Sequence, residues 1–249
     1  ANQLSLSARY DDNEQFGDFT TGRIALGRDI GEQTNIWIAA GTAFKAPNLV
    51  DLYVDFPQFF FYANPDLQPE ESENTELGIT TVLAGTSLQA SAFNNRLSNM
   101  IASNATFDSL TNVSRAEITG LEISASRNLA DWNAQLSITL MDHEDKSTGD
   151  ALLRRADEQA NLRLGRDFQQ LSLLLDWLWV GDRADLDPVT FGRSDLDSYN
   201  KLDIVANWQF DDSLSAQLRV GNALDENYEV VDGYNTLGRN GMLKLRYQF

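Results

Sequence analysis

The chain has 249 residues, no cysteine, one histidine and a formal charge of 19 − 37 = −18. The missing cysteines exclude a disulfide framework and cysteine metal clusters. The acidic balance leaves nothing to neutralise a phosphate backbone, so nucleic acid is not an expected partner.

No window approaches the ~18 consecutive apolar residues of a membrane helix. ANQLSLSARYDD opens directly in a strand-like pattern with no secretory signal, which reads as the start of a fragment. The dominant signal is a period of two, which predicts strands with two different faces. In chain order the segments are 2–11, 20–29, 34–44, 73–83, 87–101, 112–127, 132–142, 152–165, 170–181, 198–210, 213–224 and 238–249.

In 132–142, Trp132, Ala134, Leu136, Ile138 and Leu140 share a face. In 170–181, Leu171, Leu173, Leu175, Trp177 and Trp179 do so, with Ser172 and Asp176 opposite. Leu202, Ile204, Ala206, Trp208 and Phe210 follow, then Leu214, Ala216, Leu218 and Val220. The last segment sets Leu243, Leu245, Tyr247 and Phe249 against Met242, Lys244, Arg246 and Gln248. Such runs exceed the ~5–6 residues of ordinary strands and match the ~9–11 of a tilted strand crossing a bilayer.

Short connections are expected near 30–33, 84–86, 128–131, 166–169 and 211–212, and long polar ones at 12–19, 45–72, 102–111, 143–151, 182–197 and 225–237. Short and long alternate, as in an antiparallel up-and-down transmembrane β-barrel, an all-β fold with about twelve strands here. A soluble sandwich or lipocalin-like barrel also alternates. It would have to bury the charges of the polar face (Lys201, Asp203, Arg219, Lys244, Arg246), and it needs no aromatics at strand ends, where Trp132, Trp179, Trp208, Phe210, Tyr247 and Phe249 fall.

A terminal aromatic on a two-faced strand suits the last strand of an outer-membrane barrel. That places the C-terminus in the periplasm and every long connection outside the cell. Twelve strands, an even number, predict closure by pairing 2–11 with 238–249, within one chain or between two, because lipid tolerates no open edge.

Three stretches go beyond architecture: GTAFKAPNLVDLY (41–53) with NPDLQPEESENTELGI (64–79), ALLRRADEQANLRL (151–164), and GNALDENYEVVDGYNTLGR (221–239). Together and in this order they resemble TonB-dependent outer-membrane receptors, most of all the vitamin B12 (cobalamin) receptor branch. YVDFPQFFFYA (53–63) departs from the family pattern, in a loop where ligand choice is often made.

The resemblance implies the C-terminal portion of a receptor barrel of about twenty-two strands, occupying 1–249, with the plug domain and N-terminal barrel strands absent. It implies TonB-driven uptake of a bulky, scarce nutrient, with cobalamin or another corrinoid as ligand. The alternatives are a ferric-siderophore receptor or a passive small pore. The implied partners are outer-membrane lipid, the ligand, and the TonB complex through the missing N-terminal segment and plug.

Read as chemistry, Pro47 ends the third strand and NPDLQPEE supplies turns before the fourth. Arg154 and Arg155 stand at the start of a descending strand, and parity with Ala160, Leu162 and Leu164 points Arg155 inward. The bland reading is rim arginines paired with loop carboxylates. The resemblance makes them, with Tyr234, candidate ligand contacts. The run Phe56, Phe59, Phe60, Phe61 and Tyr62 must pack on something; Phe59, Phe60 and Tyr62 are its candidate ligand contacts, and packing within the loop is the alternative.

DRADLDPVTFGRSDLD (182–197) has carboxylates at short spacing but not the EF-hand pattern, so no metal is assigned, and no cofactor is expected. There is no HExxH, GxSxG, P-loop or Rossmann fingerprint, and the single His143, in MDHED, reads as a solvated loop residue. An enzyme is not expected.

Overall fold

The computed structural model describes every residue from 1 to 249 except Ala105 and Phe107, and of Val113 and Ser114 only the backbone. Ala105 and Phe107 belong to the connection expected at 102–111, so that part of the expectation lies outside the described residues.

The strands are β1 (Asn2–Asn13), β2 (Gly17–Ile30), β3 (Thr34–Lys45), β4 (Glu70–Leu83), β5 (Thr86–Ser103), β6 (Leu110–Leu129) and β7 (Trp132–Asp145). They continue as β8 (Glu158–Phe168), β9 (Leu171–Val180), β10 (Arg183–Leu186), β11 (Arg193–Leu196), β12 (Tyr199–Gln209), β13 (Leu214–Gly221) and β14 (Asn240–Tyr247). β10 and β11 form a small hairpin of their own. The other twelve make one antiparallel sheet in which each strand bonds to the next in chain order. The helix α1 (Leu49–Tyr53) sits in the longest connection.

The alternation reads out as two faces. Leu4, Leu26, Ile38, Leu77, Ala92, Leu121 and Leu140 stand opposite one another across seven strands. Leu173, Ala206, Leu218 and Leu243 line the same face farther along. A soluble sandwich would bury this face under a second sheet, yet Leu26 is 50% exposed, Leu77 58% and Leu243 66%. A continuous apolar face of this extent requires an apolar surround.

The opposite face pairs its charges across strands. Arg163 meets Asp176 at 3.0 Å, and Asp203 accepts from Arg219 at 2.8 Å while Lys201 lies 3.3 Å away. On this face Trp37 covers Gly78 and Phe93 covers Gly120, so tightly that a Cβ at either glycine would collide with the ring.

Several expectations need correcting. The first long connection, 12–19, is a tight turn: the β1–β2 ladder runs to Asn13 and Gly17, Asn13 Oδ1 accepts from the amides of Gln15 and Phe16, and Gly17 takes φ +82°. DDNEQFGD reads as loop because it is polar, but its backbone can still pair. The eighth strand begins at Glu158, not 152, because ALLRRA folds back over β7 instead of extending β8.

Closure within one chain does not occur either. β1 and β14 each have one neighbour and are not bonded to each other.

Strand ends follow their local chemistry. β3 stops at Lys45, two residues before Pro47, and Asn48 caps α1 by accepting from the Asp51 amide at 2.8 Å. Lys45 and Glu70, 2.9 Å apart, close the neck of the 46–69 connection. At the short-turn end, Trp208 stacks on Phe210 and Tyr247 meets Phe249 edge-on, as a girdle of aromatics.

Candidate functional site

The long connections carry most of the fully buried side chains, and they fall into two groups. In the first, the 46–69 connection lies on the one before β6. The Tyr62 amide donates to Asp108 O (2.7 Å), Asn64 Nδ2 to Leu110 O (2.8 Å), and Gln68 and Asn112 bond each other. Leu52 and Leu67 are sealed beneath. Phe59 and Phe60 are not: each is 76% exposed, and Phe60 takes φ 54°. Tyr62 is half-exposed.

The second group joins the segment after β7, the β10–β11 hairpin and the connection before β14. Asp185, on β10, is wholly inaccessible. Its carboxylate accepts from Arg154 Nε (2.8 Å), the Leu186 amide (2.8 Å) and the Asp232 amide (2.9 Å), and so holds three separate stretches. Burial alone would raise its pKa; the Arg154 guanidinium and the two amides outweigh it and hold the carboxyl below its usual range. Arg154 itself takes φ 60°, and its amide donates to Ala184 O at 2.7 Å.

Arg183 donates to Glu229 O and lies over the Tyr199 ring, 5.3 Å from its centroid. Tyr199 stacks on Tyr228. Asn222, also buried, donates to Glu226 O and accepts from the Glu226 amide, while Asp225 accepts from the Arg239 amide.

His143 is the other corrected expectation. It is 4% exposed, because the 151–157 segment folds over it. Its Nδ1 accepts from the Leu152 amide at 3.1 Å, and Nε2 lies 3.1 Å from Arg155 O and 3.2 Å from Asp157 Oδ1. An Nδ1 that accepts puts the ring proton on Nε2, where it faces two oxygens. Leu152 is buried against Ala116 and Ile118.

The ALLRRA stretch is thereby resolved into roles. Leu152 packs, Arg154 clamps, and Arg155 is exposed, with no side-chain hydrogen bond or ion pair among the described residues. Parity from β8 does not orient Arg155, which precedes the strand. Tyr234 is 69% exposed.

Among the sequence-predicted residues, Arg154, Arg155 and Tyr234 belong to one loop group, and Phe59, Phe60 and Tyr62 to the other. No hydrogen bond, ion pair or ring contact joins the two sets among the described residues. Three carboxylates of 182–197 serve the protein itself: Asp185 the clamp, Asp187 the hairpin turn through the amides of Val189 and Thr190, and Asp182 the Ser198 amide. Sequence reasoning missed Asp185 and Arg183, whose partners Arg154, Asp232 and Glu229 lie 31 to 47 residues away, and His143 and Asn222, which are covered by nearby segments that fold back over them. The one available signal was the acidic spacing around Asp185. What the layer offers is an exposed guanidinium and phenol in one braced group and exposed rings in the other.

Comparison with known proteins gives a family model, described as TonB dependent receptor-like, beta-barrel, that matches residues 3–223. The vitamin B12 transporter BtuB of Vibrio cholerae serotype O1 is 32% identical over 249 residues, covering 99% of this chain and 40% of that protein. The chain thus spans about 40% of the length of the curated relatives it matches. Among solved structures, the siderophore receptor PirA from Acinetobacter baumannii matches with TM-score 0.81 at 20% identity, over 100% of this chain and 43% of that one. A variant of the ferric enterobactin receptor PfeA from Pseudomonas aeruginosa, in complex with enterobactin, matches with TM-score 0.80 at 23% identity and the same coverage.

Proposed function

The chain belongs to the TonB-dependent receptor-like β-barrel family, and from that premise we propose that it is the C-terminal portion of the barrel of an outer-membrane receptor that takes up cobalamin or another corrinoid. The observation that carries this reading is the braced loop layer: Arg155 and Tyr234 are presented to solvent on loops pinned at Asp185, and Phe59 and Phe60 on the 46–69 connection, which is pinned separately to 108–112. A rigid rim with free rings and a free guanidinium can bury a large polar ligand at little ordering cost. The vitamin B12 transporter among the relatives points to a corrinoid.

In the full receptor, a plug and an N-terminal segment outside this chain engage the TonB complex, and loop capture precedes TonB-driven passage without covalent chemistry. Phe249 and the short turns lie at the periplasm, the long connections outside, and the apolar face against outer-membrane lipid.

A second reading, ferric-siderophore uptake, is favoured by the aromatic stretch of 53–63 and by the siderophore receptors among the structural neighbours. Equilibrium binding of cyanocobalamin and of ferric enterobactin to the full-length receptor separates the two. Cobalamin binding that weakens about tenfold or more in Arg155→Ala and Tyr234→Ala, the loss of one good contact each (about 1.4 kcal/mol), supports the first. Saturable binding of the ferric siderophore alone replaces it with the second.

A further inference from the structure

Among the described residues, three arginines stand on the apolar face near the short-turn end, Arg28, Arg127 and Arg166, and of these Arg166 is held between rings. Trp132, Arg166 and Leu173 are opposite one another on β7, β8 and β9, and Leu173 continues the row through Ala206, Leu218 and Leu243. Arg166 also shares its side of β8 with Leu164 and Leu162, two and four residues away, so its neighbours on that face are aliphatic or aromatic. Nothing in the alternation calls for a charge there.

The side chain is nonetheless held in place. Its guanidinium carbon lies 4.3 Å from the centroid of Phe168 and 5.0 Å from that of Trp132, an arrangement that steadies a cation by its attraction to the ring faces. Its Nε is buried without a hydrogen-bond partner among the described residues. The one carboxylate in reach, Asp131 on the adjoining turn, is 3.9 Å from Nη2, beyond hydrogen-bond distance, and is 69% exposed. Arg166 retains 32% of its side-chain surface. A guanidinium offers five donors in a planar fork, and here none of them makes a protein hydrogen bond among the described residues.

We propose that Arg166, set between Trp132 and Phe168, is the phosphate contact of a lipid-binding site for one glycerophospholipid of the inner leaflet of the outer membrane. The inference rests on the membrane-barrel reading above. Given that reading, the ring of aromatics to which Trp132, Phe168 and Trp208 belong marks the headgroup level. At that depth a cation facing outward meets phosphodiesters, and the forked donors of arginine match two phosphate oxygens at once. The acyl chains continue along Leu164, Leu173 and Leu162. The neighbouring carboxylate stays in water on its turn and leaves the fork free. Lysine, a point charge without a flat face, would lose both the ring contacts and the paired geometry.

The test uses the full-length receptor in mixed micelles of an alkyl maltoside and phosphatidylglycerol, with bound lipid counted by native mass spectrometry. Heat-modifiable migration on gels reports the folded barrel separately. Wild-type receptor should retain phosphatidylglycerol with an affinity about tenfold above that of Arg166→Gln, with Arg166→Lys between them. Diacylglycerol, which lacks the phosphate, should not distinguish the three. Arg163→Gln, whose parent side chain faces the other side and pairs with Asp176, should retain lipid as wild type does. Folded Arg166→Gln that retains phosphatidylglycerol like wild type overturns the site while leaving the barrel standing. Equal retention of diacylglycerol also overturns it, since the phosphate would then be irrelevant. Failure of wild type to migrate as a heat-modifiable barrel strikes instead at the membrane reading, and the site falls with it.

Discussion

Removing the Arg154 side chain should loosen one corner of the molecule and nothing else. In Arg154→Ala, Asp185 loses one of its three donors but keeps the amides of Leu186 and Asp232. Breaking a fully buried ion pair costs about 3–5 kcal/mol, whereas an exposed pair is worth about 0–1 kcal/mol. Asp185 is inaccessible but Arg154 is 53% exposed, so water enters the vacated space and screens what remains. The expected cost is therefore about 2 kcal/mol, which raises the local opening equilibrium about 30-fold.

Amide hydrogen exchange on the full receptor reads this directly. The amides of Leu186 and Asp232 should exchange about 30-fold faster, while those of β12 and β13 stay unchanged. Asp185→Asn keeps the shape and removes the buried charge, so its effect should be smaller, and Arg154→Ala added to it should do little more. Acceleration under about threefold at both amides would refute the clamp. Uniform acceleration through the sheet would refute its local character.

The clamp also has a pH signature. Because the folded-state pKa of Asp185 is lowered, its contribution is complete above the unfolded value of about 4 and is lost as pH falls through the lower folded value. Protection at Asp232 from this carboxylate should thus be complete and insensitive to its titration at neutral pH, fall only under stronger acid, and lose that acid limb in Asp185→Asn. His143→Phe keeps the ring volume but leaves the Leu152 amide unpaired in a buried place, at a cost of about 1–3 kcal/mol. Protease nicking should then increase within 151–157; unchanged protection there would contradict the bracing role. For orientation, single cysteines at Asp12, Asp187 or Asp232 should react with an impermeant thiol reagent on intact cells, and those at Gly85 or Asp211 should not. The reverse labelling pattern would invert the sidedness.

Most of the sheet is legible in the residues themselves, because a strand between two different surroundings writes its faces into consecutive positions. Leu202, Ile204 and Ala206 against Lys201, Asp203 and Asn207 need no knowledge of their neighbours to be sorted. Expectation fails where local polarity and backbone pairing part company. DDNEQFGD is polar but laddered, and ALLRRA looks like a strand start but is a fold-back segment in which Leu152 is core and Arg154 a clamp. His143, surrounded in sequence by acidic residues, reads as solvated, yet the segment that covers it begins only eight residues later at Ala151.

Neighbouring residues and their order therefore dictate the period, the two faces, the strand count and the family likeness of the three motifs. Long-range packing dictates the rest. It keeps β1 and β14 apart, lets Asp185 draw together Arg154 and the Asp232 amide across 31 and 47 residues, and grips Arg166 between Trp132 and Phe168. Curvature, burial of a carboxylate and the stacking of a guanidinium are set by distances between strands. Those distances come from the register of the whole sheet, which no short stretch of sequence carries.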